Sequence, residues 1–315
     1  MKLQFAILPT AAFALACQVA FAAPLAYVPN EESGTISVID TQTDTVVKTI
    51  KAGKKPRGIA TSAAVNMLYV SDQPNNALLV VDLSTQSVAD KIDLGESPEG
   101  VGISADGKLV ATAVEISNSV ALIDATTKAR LANIKVEGKN PEHAVFSPDG
   151  KWIFVSAEEA TQVDIIDIAQ RKQVANVPVG RRPRGIGFLP DSSKAYVACE
   201  LDSTVFVIDV ANRKVLKKLK AGTFSNGVAV RPDGKRVYIS NGKDNTVSVL
   251  DTQTDEVIAT IPVGKRPWNM AVTPDGKKLY VAAGRSDAVT VIDTESNQKI
   301  TDVPVGERPW GVVVH

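Results

Sequence analysis

Apolar and alternating runs of four to seven residues recur along the chain, separated by clusters of Gly, Asn, Asp and Pro. The segment from Ser225 to Gly264 is representative. Its runs "NGVAV", "RVYIS", "TVSVL" and "VIATIPV" are divided by "RPDG", "NGKDN" and "DTQTD". Runs rich in β-branched residues between turn-forming residues predict strands. Beyond residue 22 no stretch keeps a helical apolar period over three turns. The segment is therefore predicted to be a unit of four short strands.

The unit repeats. A "P-x-G" phrase recurs at Pro56, Pro98, Pro141, Pro183, Ser225, Pro267 and Pro309, at spacings of 42 or 43 residues. The aspartates that close the third runs (Asp40, Asp82, Asp124, Asp167, Asp209, Asp251 and Asp293) keep the same period. So do Gly53, Gly95, Gly138, Gly180, Gly222, Gly264 and Gly306. Four-stranded units at this period are propeller blades. The expected fold is an all-β, seven-bladed β-propeller over 23–315. Blades one to six are complete, at 56–97, 98–140, 141–182, 183–224, 225–266 and 267–308. Blade seven is split: 309–315 supply its innermost strand and 25–55 the other three. Closing the ring this way hides sheet edges that would otherwise invite aggregation.

The phrase "KRVYISNGKDNTVSVLDTQTDEVIATIPVGKRPW" closely resembles the YVTN family of propeller repeats, and the resemblance covers all of 23–315. With the seven-fold count, "PEG" at Pro98 and the terminal "PWGVVV", the chain looks like the seven-bladed YVTN proteins found with periplasmic, pyrroloquinoline-quinone (PQQ)-dependent alcohol oxidation and its transport system. YVTN repeats also occur in surface-layer proteins and amine-dehydrogenase subunits. The resemblance implies an accessory or binding component whose partner is a PQQ-dependent dehydrogenase or a transport component. It carries over no catalytic residues and assigns no cofactor to this chain. Three places depart from the pattern: "TSAAVNM" replaces a "SPDGK" turn, "VATA" replaces a "YVTN" core, and Ser225 replaces a proline.

Residues 1–22 read as an export signal, with Lys2 at the start, an apolar run from Leu3 to Ala16, and Ala20-Phe21-Ala22 as a cleavage site. Pro9 breaks the run, which is too short for a membrane span. A periplasmic protein is expected; lipid anchoring at Cys17 is the alternative. Removing 1–22 takes away Lys2 from 35 basic residues, leaving 34 against 35 acidic ones. With no basic stripe, nucleic-acid binding is excluded. Cys199 is then the only cysteine, so no intrachain disulfide can form. Its phrase "VACELD" holds no basic or histidine neighbour, so it reads as a packing residue.

Candidate chemistry gathers near the axis. One place after each key residue, at the expected mouth, stand Arg57, Glu99, Glu142, Arg184, Asn226, Trp268 and Trp310. Loops after the second strands are expected to add Glu31, Asp72, Glu115, Glu158 and Glu200 on the same face, beside Phe224. Clustered aromatics and convergent charges make a binding-site candidate. The plainer alternative is that the tryptophans pack on Pro267 and Pro309 while the charges pair. By strand alternation His143 and Asn269 replace glycine on the channel face. The third-strand aspartates and the "PDG" aspartates Asp149, Asp233 and Asp275 read as turn residues. No zinc ligand set is visible.

Three functions fit this pattern. The first is an exported, non-enzymatic binding propeller that takes a protein partner or small ligand at its mouth. The second is a lactonase- or lyase-like enzyme using His143 with Glu142, Glu200 or Arg184, although no second histidine or nucleophile accompanies it. The third is a surface-layer or adhesion module.

Overall fold

The structure, a computed structural model, describes residues 24–315. The cleavage site near Ala22 and Cys17 lie outside the described residues. The described residues form 28 strands in seven four-stranded antiparallel sheets, with one 3-10 turn at Gln73–Asn75. No helix among them is long and apolar enough to cross a membrane.

Each blade runs outward from the axis. Blade five, for example, is Ser225–Val230, Arg236–Asn241, Thr246–Asp251 and Glu256–Pro262 in that order. The second and third strands are buried on both faces, whereas the fourth is mostly exposed. This explains why the middle runs read as nearly continuous apolar stretches: both faces of each blade are covered by neighbours. The cores accordingly lie between blades. One joins Tyr27, Ile36 and Val38 of blade seven to Ile59, Leu68 and Val70 of blade one. Another joins Ala26 and Val28 to Tyr280, Ala282 and Val312.

The ring closes as the sequence implies. Val313–Val314 pairs antiparallel with Leu25–Asn30, in register Ala26↔Val314 and Tyr27↔Val313. The Leu25 N–H donates to the His315 carbonyl at 2.7 Å, and the Trp310 N–H to the Pro29 carbonyl at 2.9 Å.

The repeated aspartates are turn residues. Asp40 accepts from the Gln42 and Thr43 amides, and Asp251 from those of Gln253 and Thr254. The corresponding amide bonds hold Asp82, Asp124, Asp167 and Asp293 below the usual carboxylate range, and the Asn212 side chain, with its amide, does the same for Asp209. Cys199 is fully buried, and burial pushes its thiol up to about 12.

Candidate binding site at the propeller mouth

The first strand of a blade is bulged at its mouth end. In blade one Pro56 pairs with Asp72 but Ile59 with Val70, so the register slips by one residue across Arg57-Gly58. The same slip follows Pro98, Pro183, Ser225 and Pro267. A bulge re-aims side chains, and here it turns the residue after each key position toward the opening. The second strand supplies the missing partner in places: Ser71 Oγ accepts from the Gly58 amide at 2.9 Å, and Ser240 Oγ from the Gly227 amide at 2.8 Å.

Arg57, Glu99, Glu142, Arg184, Asn226, Trp268, Asn269 and Trp310 therefore surround one pocket of about 230 Å³. Arg57 is held between two blades, donating to Glu31 at 2.9 Å and to Glu99. Arg184 sits among three carboxylates. It contacts Glu142 at 2.6 Å, Glu200 at 3.0 Å, and Glu158. Burial alone would lower the Arg184 pKa, but these three carboxylates raise it, so its charge is permanent.

The carboxylates do not share one state. Burial and the nearby Glu142 push Glu99 up to about 9, against the pull of Arg57. Burial raises Glu115 too, opposed by a hydrogen bond from Ser97 Oγ at 2.6 Å. Burial also raises Glu200, but Arg184 and Arg266 outweigh it and the net shift is downward. Burial thus pushes the wall carboxyls Glu99 and Glu115 up, while the arginines pull Glu200 behind them down.

His143 and Asn269 meet across the channel below, with Asn269 Nδ2 3.4 Å from His143 Nε2. Trp310 stacks on the imidazole at 5.5 Å between centroids. The three help to enclose a second cavity of about 80 Å³. Burial, reinforced by the Arg184 charge, drives His143 down to about 3, so the imidazole is neutral and weakly basic. Glu142 is paired with Arg184 and gives His143 no orienting bond.

Two expectations need correction. Asp72 is not a mouth residue: it is fully buried and accepts from the Lys54 and Lys55 amides at 3.0 Å. It is the register equivalent of Asn30, so the blade-one counterpart of Glu31 is Gln73, in the 3-10 turn. Glu200 is almost fully buried and acts from behind the wall, anchoring Arg184 and Arg266. Trp268 lies under the Arg308 guanidinium at 5.7 Å and fills the space a Cβ on Gly284 would need.

Arg182, Arg266 and Arg308 line the pocket and were missed. Each directly precedes a key proline, with φ of 56°, 53° and 54°. Left-handed backbone at a non-glycine residue before proline is uncommon. It swings each side chain over the rim. The signal was present in "RRP", "KRP" and "ERP". Among the described residues no cluster of three or more His, Cys, Asp or Glu could hold a metal ion.

The family model described as "Lactonase, 7-bladed beta-propeller" matches residues 166–304. No curated protein sequence matches the chain. Among solved structures, the chain is similar to one titled Kuenenia stuttgartiensis Hydrazine Synthase, at TM-score 0.73 and 22% identity over 81% of this chain and 88% of that one. A functionally unknown protein from Desulfotomaculum acetoxidans DSM 771 superposes at TM-score 0.82 and 17% identity, over 93% of this chain and 99% of the other. At these identities the likeness establishes the shared fold.

Proposed function

We propose that the chain is an exported binding propeller whose mouth captures a small polar ligand. In the setting its YVTN-like repeats imply, it serves periplasmic PQQ-dependent alcohol catabolism as an accessory component, beside a dehydrogenase or transport partner that handles the redox chemistry. One observation carries the binding reading: side chains from all seven blades converge on a single pocket, with ion-paired arginines on one side and Trp268 and Trp310 on the other. Fixed charges orient a polar group while an aromatic wall covers its carbon skeleton. Trp268→Ala and Trp310→Ala, singly and together, are expected to weaken ligand capture at least tenfold in equilibrium binding with periplasmic extract metabolites, and to weaken pull-down of the partner from alcohol-grown cells. Unchanged capture and pull-down would move the site elsewhere.

The lactonase-type match favours a second reading, hydrolysis of a cyclic ester at the same mouth. Arg184 would stabilise a developing oxyanion and a mouth glutamate would activate water. Turnover on a lactone panel, abolished in Glu142→Gln, is its signature, Glu142 being the mouth carboxylate in contact with Arg184. No turnover on that panel leaves the binding reading alone.

A further inference from the structure

The wall of glutamates around the mouth is interrupted. The residue after the second strand is Glu31 in blade seven, Glu115 in blade two, Glu158 in blade three and Glu200 in blade four. In blade one it is Gln73, and in blades five and six it is Gly242 and Gly284. Neither glycine has a positive φ; what each provides is room. A Cβ on Gly242 would lie 2.7 Å from Arg266 Nη1, and one on Gly284 2.6 Å from the Trp268 ring. Beyond that gap the paired charges of the mouth give way to cations.

A pocket of about 500 Å³ opens there, lined by Phe224, Lys243, Asn245, Lys265, Arg266 and Arg285. Four of the six are cations and none is a carboxylate. Asp244, next to Lys243, does not line the pocket and accepts from the Thr223 amide at 2.6 Å. Phe224 adopts left-handed backbone with φ 59°, and its ring lies under Lys243 Nζ at 5.6 Å and Arg266 Cζ at 5.5 Å. Backbone bonds fix the loops that carry the cations: the Lys243 amide donates to Thr223, and the Arg285 amide to Lys265. Arg266 forms the partition, reaching Glu200 behind the mouth wall and covering Phe224 in the rim pocket.

We propose that this rim pocket is an anion subsite, which takes a carboxylate or phosphate group of a small ligand. Three exposed cations around a concave, aromatic-floored pocket repel one another, and an anion relieves that repulsion by accepting from them. The pocket's volume suits a small molecule. The inference deepens the mouth reading: a ligand anchored by its anionic group here would extend its polar or carbon part past Arg266 to Trp268.

The test uses succinate and inorganic phosphate as probes on the full-length mature protein at low salt, by calorimetry and chemical-shift titration. Saturable binding with shifts at Phe224 and Lys265 is expected. The combined Lys243→Ala, Lys265→Ala and Arg285→Ala variant should raise the Kd at least tenfold. Removing three exposed lysines elsewhere (Lys51→Ala, Lys214→Ala and Lys220→Ala) should change it less than twofold. A preference for one probe says whether the group is a carboxylate or a phosphate. Succinate and phosphate binding is read on the unaltered protein, independently of metabolite capture at the mouth, so failure of the mouth reading is separable from failure of this one. Equal losses in the two triple variants, absence of saturable binding, or far tighter binding of an oligoglutamate peptide with shifts spread beyond the pocket would overturn the proposal.

Discussion

His143 shows how one side chain's surroundings limit its chemistry. It is the channel-facing histidine that strand alternation picks out, yet its imidazole lies among Trp310, Asn269 and the nearby Arg184 charge. Burial leads in driving it down to about 3. Folded protein therefore keeps it neutral where the unfolded chain, titrating near 6.5, takes up a proton. Below pH 6.5 the unfolded state binds more protons, so this residue's contribution to stability falls as pH falls, and levels off only near 3. The linkage amounts to about 2 kcal/mol by pH 5. His143→Gln keeps a polar group opposite Asn269 and cannot titrate. The stability of native protein relative to this variant, measured by urea unfolding, is expected to decline between pH 6.5 and 5 and to stay flat from 7 to 8. A flat difference across the whole range would mean that the imidazole is solvated. A weakly basic, unoriented histidine suits a channel wall better than it suits a general base.

At the scale of elements, the blades are tied by tyrosines of the second strands, and the ties are unequal. The Tyr280 hydroxyl of blade six donates to Asp44 in the blade-seven turn, where Lys278 Nζ also donates to Asp44 at 2.7 Å. Tyr196 and Lys194 of blade four make the same pair of contacts to Asp255 in blade five. Tyr69 reaches the Ala125 carbonyl at 3.1 Å. Tyr238 is fully buried and its hydroxyl has no partner. Tyr280→Phe should therefore cost about 1–3 kcal/mol, because it takes a donor from the partly buried Asp44 carboxylate. Tyr238→Phe should be neutral or slightly stabilising, because it removes an unsatisfied hydroxyl. Thermal unfolding of the two variants side by side checks the contrast. These tyrosines were legible as part of the repeat, since its period and burial follow from local pattern. Which hydroxyl finds an acceptor was not, because the acceptor lies in the next blade around the ring, 56 residues on for Tyr69, 59 on for Tyr196 and 236 back for Tyr280. The mouth divides the same way. Arg57, Glu99, Trp268 and Trp310 obey the repeat register and could be placed. Arg182, Arg266 and Arg308 reach the pocket through left-handed backbone, which alternation does not describe. Asp72 was misplaced by one residue beside the 3-10 turn. The rim pocket depends on what Gly242 and Gly284 leave room for, which is a property of packing between blades.

For the whole molecule, the joint between the chain ends governs both stability and the site. The segment from Pro309 to His315 covers the inner edge of Leu25–Asn30 and packs Val312 against Ala26 and Val28. It also brings Trp310 to the mouth and onto His143. Ending the chain after Glu307 would leave blade seven with three strands, an open sheet edge and an uncovered core. Losing the burial of Val312 and the partial burial of Trp310 alone removes about 2–4 kcal/mol, a large share of the net stability of an ordinary domain. The truncated protein is expected to melt at least about 10 °C lower, to aggregate through the exposed edge, and to lose mouth binding. A synthetic peptide of residues 308–315 added in trans should recover part of the melting temperature, because every other strand of the blade is already in place. The same peptide with Val312→Asp should not, since it would carry a charge into the core shared with blade six. If the truncated chain instead melted like the intact one, the terminal strand would be an ornament on a ring held shut by the neighbouring blades. Arg57, bonded to Glu31 of the N-terminal segment, would then have to find the mouth without help from the C-terminal closure.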